Sequence, residues 1–171
     1  FTLVPSANPY AFYNYGAIDM QDGSADDTLY ITGDFAGDGD INVDVSGLDG
    51  ASDVLFIDGS VVSGTAGVID VGLLDVPESL QTLVPAVYVT GDSVDGNFVL
   101  GVVSWDEDNS FVTLDFDIVS DIDATNATND VHSLGIEVTG LSDPGTLAAT
   151  IAPSVQSLMT SQTGTWRQRM G

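Results

Sequence analysis

Asp27-Thr28-Leu29-Tyr30-Ile31-Thr32-Gly33 opens a region, extending to residue 101, in which the chain restarts the same kind of short strand. After a turn over 34–39 comes Ile41-Asn42-Val43-Asp44-Val45, and Asp53-Val54-Leu55-Phe56-Ile57-Asp58-Gly59 again runs a strand into a glycine. Each run is apolar, rich in β-branched residues and bounded by Gly or Asp, which is typical of strands and turns. Repeated short strands predict a stacked β-solenoid, a class of fold that scaffolds and binds more often than it catalyses.

Further strand candidates share these features and continue the pattern to residue 138. They cover 17–20, 67–72, 86–91, 97–101, 110–119 and 131–138. The last two alternate apolar and polar residues, which predicts half-buried strands, and the polar residues 121–130 between them predict an exposed loop. Short alternating strands also occur in β-sandwiches, so the pattern alone leaves that fold open.

The character of the sequence changes after residue 140. Ser142-Asp143-Pro144 can begin a helix because proline is accepted in the first helical turn. Apolar residues then recur at helical spacing, and Pro153 predicts an interruption, so we expect a kinked helix over 145–162.

Composition restricts the classes of partner. The 171 residues suffice for one domain, and 43% hydrophobic content with only 16% charged residues argues against disorder. The formal net charge of −24 repels nucleic acid and anionic lipid, so neither is expected as a partner. No run reaches the roughly 18 apolar residues of a membrane span. With no cysteine, the chain has no disulfide and no thiolate nucleophile or metal ligand.

Three aspartates are candidate calcium ligands. Asp34, Asp38 and Asp40 alternate around Gly37 and Gly39, and oxygen-rich turns of this kind can hold Ca²⁺. Their spacing fits neither the EF-hand loop nor a nonapeptide calcium repeat, and aspartate also favours turns for its own backbone chemistry. Both interpretations stay open, and no other cofactor is expected.

The sequence does not predict an enzyme. His132 is the single histidine and lies in a strand-like run, and no Gly-x-Ser-x-Gly elbow is present. The best carboxylate candidate for polysaccharide chemistry is 106–108, beside Trp105. We expect a structural or surface role for His132 and no catalytic residues.

The strands just described resemble those of a known family. The region 16–101 is similar to the C-terminal part of the passenger of bacterial autotransporters (type V secretion), the pertactin-like β-helix end called the autochaperone region. The segments that carry the resemblance are Gly16-Ala17-Ile18-Asp19-Met20, Leu29-Tyr30-Ile31-Thr32-Gly33-Asp34-Phe35-Ala36-Gly37-Asp38-Gly39, Ser52-Asp53-Val54-Leu55-Phe56-Ile57-Asp58-Gly59, Val61-Val62-Ser63-Gly64-Thr65, and Val87-Tyr88-Val89-Thr90-Gly91-Asp92-Ser93-Val94-Asp95-Gly96-Asn97-Phe98-Val99-Leu100-Gly101.

The resemblance implies an all-β fold, a right-handed parallel β-helix over 1–140, followed by a short α-helical linker over 141–171. The ending Thr165-Trp166-Arg167-Gln168-Arg169-Met170-Gly171 looks like the start of the outer-membrane barrel that follows the linker in the family, the rest of which this chain does not include. The sequence departs from the family over 105–130, where an extra acidic loop replaces the usual short hairpins.

The resemblance also implies a function: a structural and folding-template region of a surface-displayed passenger. Its partners would be its own upstream passenger and the downstream outer-membrane barrel. Its location would be the bacterial cell surface, or the extracellular side, tethered to the outer membrane. Gly33, Gly59, Gly91 and Gly96 are expected to set turns, and the residues expected to stack inward are Leu29, Ile31, Phe35, Val54, Phe56, Val89, Phe98 and Leu100.

An alternative from the binding class is a free-standing acidic β-solenoid, acting as an adhesin or self-assembling surface protein whose copies are bridged by calcium.

Overall fold

The β-branched runs of the sequence form strands throughout the part of the chain that this computed structural model describes, residues 2–3, 12–105, 111–122, 129–143 and 145. In chain order the strands are β1 Thr2–Leu3, β2 Phe12–Asn14, β3 Ala17–Asp19, β4 Thr28–Thr32, β5 Phe35–Gly37, β6 Asp40–Ser46, β7 Ala51–Ser52, β8 Val54–Asp58, β9 Gly67–Asp75, β10 Gln81–Val89, β11 Phe98–Ser104, β12 Val112–Asp121 and β13 Asp130–Leu141. The all-β fold is therefore confirmed.

The helix expected over 145–162 lies almost wholly outside the described residues, as does most of the expected linker over 141–171. In the part of the chain that is described, no helix has the length and apolar character needed to span a membrane.

Most neighbouring strands pair in parallel. A six-stranded sheet has the order β1-β4-β8-β10-β13-β12, and its first four strands are parallel to one another. A five-stranded sheet has the order β11-β9-β6-β3, again parallel, with the short β7 antiparallel against β6. A third, two-stranded sheet pairs β2 with β5 in parallel.

The strands β1, β2 and β3 lie in the six-stranded, two-stranded and five-stranded sheets, and β4, β5 and β6 lie in the same three sheets in the same order. The later strands β8, β9, β10 and β11 alternate between the six-stranded and the five-stranded sheet. Phe12 pairs with Phe35, 23 residues later, and Leu55 pairs with Val87, 32 residues later. Parallel pairing cannot be closed by a tight hairpin, so the chain must travel through the other sheets before it comes back. The strands from β4 to β11, with the exception of β7, thus each hydrogen-bond in parallel to a strand of the previous passage.

The core forms where these passages stack side chains in register. Ile31, Ile57 and Val89 are aligned across β4, β8 and β10, and all three are buried. On the five-stranded sheet the buried Ile41 and Ile69 are aligned in the same way. Burying a side chain of this size contributes about 1.5–3 kcal/mol, so the aligned rows are a main source of stability.

Half of the residues expected to point inward are buried, namely Ile31, Phe35, Val89 and Phe98. Leu29 and Leu100 lie on the inward face of their strands but are only half-buried.

The expectation for Val54 and Phe56 is corrected. Leu55 and Ile57 are the buried residues of β8, and Val54 and Phe56 face the other way and are half-buried. All four residues of this run are apolar, so alternation cannot tell which face is inward, and a one-residue slip inverts the assignment. Phe56 packs instead between two tyrosines on the outer face, with ring centroids 5.2 Å and 6.3 Å away.

The turn expected over 34–39 is also corrected, because residues 35–37 within it form strand β5. Phe35 is buried, and β5 pairs with β2 in register. An aromatic column runs from this point through the interior: the Phe35 ring lies 5.8 Å from Phe12 and 6.0 Å from Phe98, and Phe98 meets His132 edge-on at 4.8 Å. Rings at these separations attract one another beyond simple burial.

Glycines stack at one corner, where β4, β8 and β10 end. The amide of Gly33 donates to the carbonyl of Asp58 at 2.8 Å, and the amide of Gly91 donates to that of Gly59 at 2.8 Å. Gly33 also has a φ of +107°, which side-chain-bearing residues rarely adopt. The corner therefore needs residues without a Cβ, and Gly33, Gly59 and Gly91 lie where the chain turns after a strand, as expected. The fourth glycine, Gly96, has a φ of +85° in the loop before β11.

The chain divides into two compact units. The larger comprises Phe1–Trp105 and Asp115–Val138 and the smaller Asp106–Leu114 and Thr139–Gly171. In the smaller unit the hydroxyls of Thr113 and Thr139 lie 3.1 Å apart, and the amide of Ser142 donates to the carbonyl of Phe111.

Replacing Gly59 by alanine tests the corner. A Cβ there would overlap the carbonyl of Gly33, a backbone group that cannot rotate away. We expect Gly59→Ala to lower the free energy of unfolding by more than about 1 kcal/mol, measured by urea denaturation. Gly16→Ala is the matched control, because a Cβ at Gly16 meets nothing within 4 Å. Equal stability of the two variants would contradict a close-packed corner.

Candidate functional site

The structure gives the three candidate calcium ligands separate surroundings. The Asp34 carboxylate accepts a hydrogen bond from the Ser60 amide at 3.0 Å, whereas Asp38 and Asp40 are exposed. Over the described residues, no group of three or more His, Cys, Asp or Glu side chains is placed to hold a metal ion. Asp34 thus joins one corner turn to the next, and the structure does not assemble the three aspartates into a metal centre.

Two other aspartates, which the sequence did not single out, are buried. Asp53 is fully buried, and its two carboxylate oxygens accept hydrogen bonds from the amides of Asp27 at 2.9 Å and Asp44 at 2.7 Å. The Asp44 carboxylate in turn accepts from the amides of Asp22 at 2.9 Å and Gly23 at 2.6 Å. The two aspartates therefore bond to one another and join the segment 22–27 to Asp44 and Asp53, across 21 to 26 positions of the sequence.

Burial governs the electrostatics of this pair. Desolvation raises the pKa of the Asp53 carboxyl, and the two backbone hydrogen bonds oppose that shift. Both carboxylate oxygens of Asp53 accept hydrogen bonds from backbone amides, so the side chain serves to hold these chain segments together. Its chemistry is that of a structural clamp.

A second buried polar cluster surrounds His132. Strand β13 lies antiparallel to β10 and opposes His132 to Val87, with Asp130 opposing Val89. Ser93 comes just after β10, and Ser120 lies in β12. His132 is 0% exposed, Asp130 1% and Ser93 6%, so these three side chains are buried, whereas Ser120 is half-buried.

The cluster holds a serine, a histidine and an aspartate but lacks the geometry of a catalytic triad. In a triad the acid bonds to one ring nitrogen and the serine to the other. Here Ser93 Oγ lies 3.0 Å from Nε2 of His132, but Nδ1 faces the Ser120 hydroxyl at 2.9 Å. Asp130 instead accepts hydrogen bonds from the Ser93 amide at 2.9 Å and hydroxyl at 2.8 Å.

This arrangement does not activate Ser93 as a nucleophile. Its hydroxyl proton is already directed at Asp130, and its side chain is buried among the described residues. The cluster instead fixes β13 against the loop after β10, while the imidazole ring closes the aromatic column. The sequence signal was a histidine at an inward position of an alternating strand; its partners Ser93 and Ser120 are distant in sequence and carried no signal.

The carboxylates considered for polysaccharide chemistry, 106–108, lie outside the described residues. Trp105 is described, and its ring meets that of Phe116 edge-on at 6.3 Å.

Comparisons of the chain with protein families, with curated proteins and with solved structures found no match.

Titration of His132 tests the buried cluster. Desolvation is the largest influence and lowers its pKa below the ordinary 6.5, although the carboxylates of Asp130 and Asp95 act the other way. Below pH 6.5 the unfolded chain therefore takes up a proton that the folded chain does not. We expect His132 to reduce the free energy of unfolding as pH falls from 6.5 towards its lowered pKa in the folded state. The reduction is up to about 1.4 kcal/mol per pH unit over that range.

The measurement is an NMR titration of the single histidine together with urea unfolding between pH 7 and pH 5. His132→Gln is the control, because the stability difference between the wild type and this non-titrating variant should shrink as pH falls. An imidazole pKa at or above 6.5 would contradict a desolvated cluster.

Proposed function

We propose that the chain is a right-handed parallel β-helix that forms the C-terminal, structural part of a bacterial autotransporter passenger. In this role it acts as a folding template for the passenger upstream of it. The observation that carries the proposal is the recurrence of strands on the same parallel sheets, with partners 23 to 32 residues apart, as at Phe12–Phe35 and Leu55–Val87. One passage through the sheets is called a coil below.

A folding template needs an edge to which new coils can add. Among the described residues of the five-stranded sheet, β3 is the terminal strand at the upstream end, where it pairs with β6 on its downstream side. A coil that adds to a preformed edge loses less chain entropy than one that nucleates alone. The arrangement therefore supports growth of the β-helix toward the upstream passenger.

A β-helix also needs a protected end, because an open stack of coils exposes backbone groups and core. At its downstream end the six-stranded sheet changes direction, since β13 pairs antiparallel with β10 from Gln81–Glu137 to Val89–Asp130. Leu134 and Ile136 of β13 are buried, as is His132 at the end of the aromatic column. This reversal supports an assignment of β12 and β13 as the terminal cap.

A scaffold requires its buried polar side chains to be hydrogen-bonded. Every buried side-chain nitrogen or oxygen in the described residues has a hydrogen-bond partner. Buried carboxylates and the imidazole are all used to join segments, and none is presented to solvent as a reactive group. This supports a structural role in preference to a catalytic one.

The composition is compatible with secretion as an extended chain. With no cysteine, no disulfide can form before the chain has crossed a membrane, and net negative charge keeps the extended chain soluble. In the proposal the chain is displayed at the bacterial surface, tethered through a downstream outer-membrane barrel.

Substitution of Phe98 tests the template function. Phe98 is 1% exposed at the centre of the aromatic column, so Phe98→Asp buries an unpaired charge, at a cost of about 3–5 kcal/mol. The chain would be inserted between a reporter passenger and an autotransporter outer-membrane domain, and protease-resistant reporter at the cell surface would be measured. We expect Phe98→Asp to abolish it.

The matched control is Val99→Asp, because Val99 is the next residue of the same strand and is 40% exposed. It should leave display unchanged. Normal, protease-resistant display with Phe98→Asp would overturn the template function. Equal display of the reporter with and without the inserted wild-type chain would overturn it as well. Calcium-dependent association of the purified chain in light scattering, abolished by EDTA, would favour the free-standing, self-assembling adhesin.

A further inference from the structure

The hydrogen bonds around His132 select one protonation state of its ring. The Ser93 hydroxyl donates to Asp130 at 2.8 Å, so its oxygen accepts from Nε2 of His132, which lies 3.0 Å away. The other ring nitrogen, Nδ1, lies 2.9 Å from the Ser120 hydroxyl. A neutral imidazole has one N–H donor and one acceptor nitrogen, so with the proton on Nε2 the Nδ1 atom accepts from Ser120. The cluster is therefore arranged for the neutral ring.

A second proton on the ring disturbs this arrangement. An imidazolium donates from both nitrogens, so the Ser120 hydroxyl would have to give up its hydrogen bond to Nδ1 and accept one instead. The ring is also 0% exposed, so its positive charge would be removed from water. Both the hydrogen bonds and the burial of His132 thus oppose protonation while β13 is in place.

The charges around the ring do not offset this cost. Among the described residues, the carboxylates that act on His132 are Asp130 on the same strand and Asp95 in the loop between β10 and β11. Both favour the protonated ring, but desolvation outweighs them and lowers the pKa of His132 below 6.5. The neighbours from the other elements are uncharged: Val87 of β10, Phe98 of β11 and Ser120 of β12.

The topology allows the terminal cap to open by itself. In the six-stranded sheet β13 pairs with β10, and β12 lies beyond β13 at the end of the described sheet. The parallel pairs of β1 to β11 form among those strands and include neither β12 nor β13. Terminal strands of this kind open at a lower free energy than the whole fold. In the opened state His132 is solvated, and its pKa returns to about 6.5.

Acid acts in the opposite direction on the other buried group with a shifted pKa. Burial raises the pKa of Asp53, so the folded chain takes up a proton there at a higher pH than the unfolded chain does. Falling pH therefore adds stability at Asp53 and removes stability at His132. The two groups together favour a response that is confined to the cap.

We propose that the terminal cap is an acid-sensitive latch, in which protonation of His132 releases residues 115–121 of β12 and 130–138 of β13 from β10 while β1 to β11 stay paired. The opened latch leaves an edge of β10 unpaired, and another extended strand can add to such an edge. By linkage, the population of the opened state rises up to about tenfold between pH 7.5 and pH 5.5. The inference uses the geometry of the cluster and does not depend on the autotransporter assignment.

Hydrogen exchange of the folded chain tests the latch, with each amide rate divided by the rate of an unstructured chain at the same pH. We expect the protection of amides 131–137 to fall by about three- to tenfold from pH 7.5 to pH 5.5. At both pH values it should stay below the protection of amides 41–45 in β6 and 69–73 in β9, which open only with the whole fold. The control is His132→Gln, whose cap protection should change less than about twofold.

Equal protection of the cap and of β6 and β9 would show that all of them open together, and would overturn the latch. Cap protection that does not change with pH in the wild type, or that falls equally in His132→Gln, would overturn it as well.

A disulfide gives a second test that leaves the cluster intact. Tyr88 and Val131 are half-buried register partners on β10 and β13, and opposite residues of an antiparallel pair lie within reach of a disulfide. In Tyr88→Cys/Val131→Cys the reduced form should keep the acid-dependent exchange. The oxidised form should protect the cap amides to the level of those in β6. Equal exchange of the two forms would contradict opening between β10 and β13.

NMR of the single histidine checks the protonation state directly. We expect a neutral ring with its proton on Nε2 at pH 7.5. A ring that carries its proton on Nδ1 would contradict the hydrogen-bond assignment on which the latch depends.

Discussion

Backbone hydrogen bonding between successive passages of the chain is the constraint on which the rest of this structure depends. A buried amide or carbonyl must find a partner, and here most partners belong to a strand some 23 to 32 residues away, as at Phe12–Phe35 and Leu55–Val87. Once one strand is placed, the register of the next determines which of its side chains enter the core. The aligned Ile31, Ile57 and Val89 show the result on the six-stranded sheet.

Such a register could slip, because neighbouring apolar residues offer similar side chains to the core. The buried polar groups fix it. Asp53 binds the amides of Asp27 and Asp44 simultaneously, and the glycine corner permits only one close approach between turns. The His132 cluster does the same at the downstream end, where Ser93 and Ser120 must both reach the ring. A slip would leave these groups buried without partners, which costs more than an apolar mismatch.

The local sequence pattern predicted the all-β fold and the approximate places of most strands, because β-branched runs bounded by Gly and Asp favour strands. It failed where the pattern was ambiguous or interrupted. The wholly apolar run around Phe56 gave no inward face, and Phe35 to Gly37 was read as a turn because glycine and aspartate surround it.

The buried polar clusters around Asp53 and His132 could not be predicted from the sequence, for a different reason. Asp53 and Asp44 look like ordinary turn and strand aspartates, and only tertiary structure brings Asp27 and Asp22 beside them. His132 could be placed on a strand from its surroundings, but Ser93 lies 39 residues away in sequence.

Disulfide trapping tests the in-register parallel stacking most directly, because the chain has no cysteine of its own. Thr32 and Asp58 are exposed register partners on β4 and β8, and adjacent strands lie about 4.8 Å apart, within reach of a disulfide. Tyr30 is displaced from Asp58 by two residues, a diagonal of about 8 Å that a disulfide does not span. We expect rapid intramolecular oxidation of Thr32→Cys/Asp58→Cys and none of Tyr30→Cys/Asp58→Cys. The reverse result would contradict in-register parallel stacking of β4 on β8.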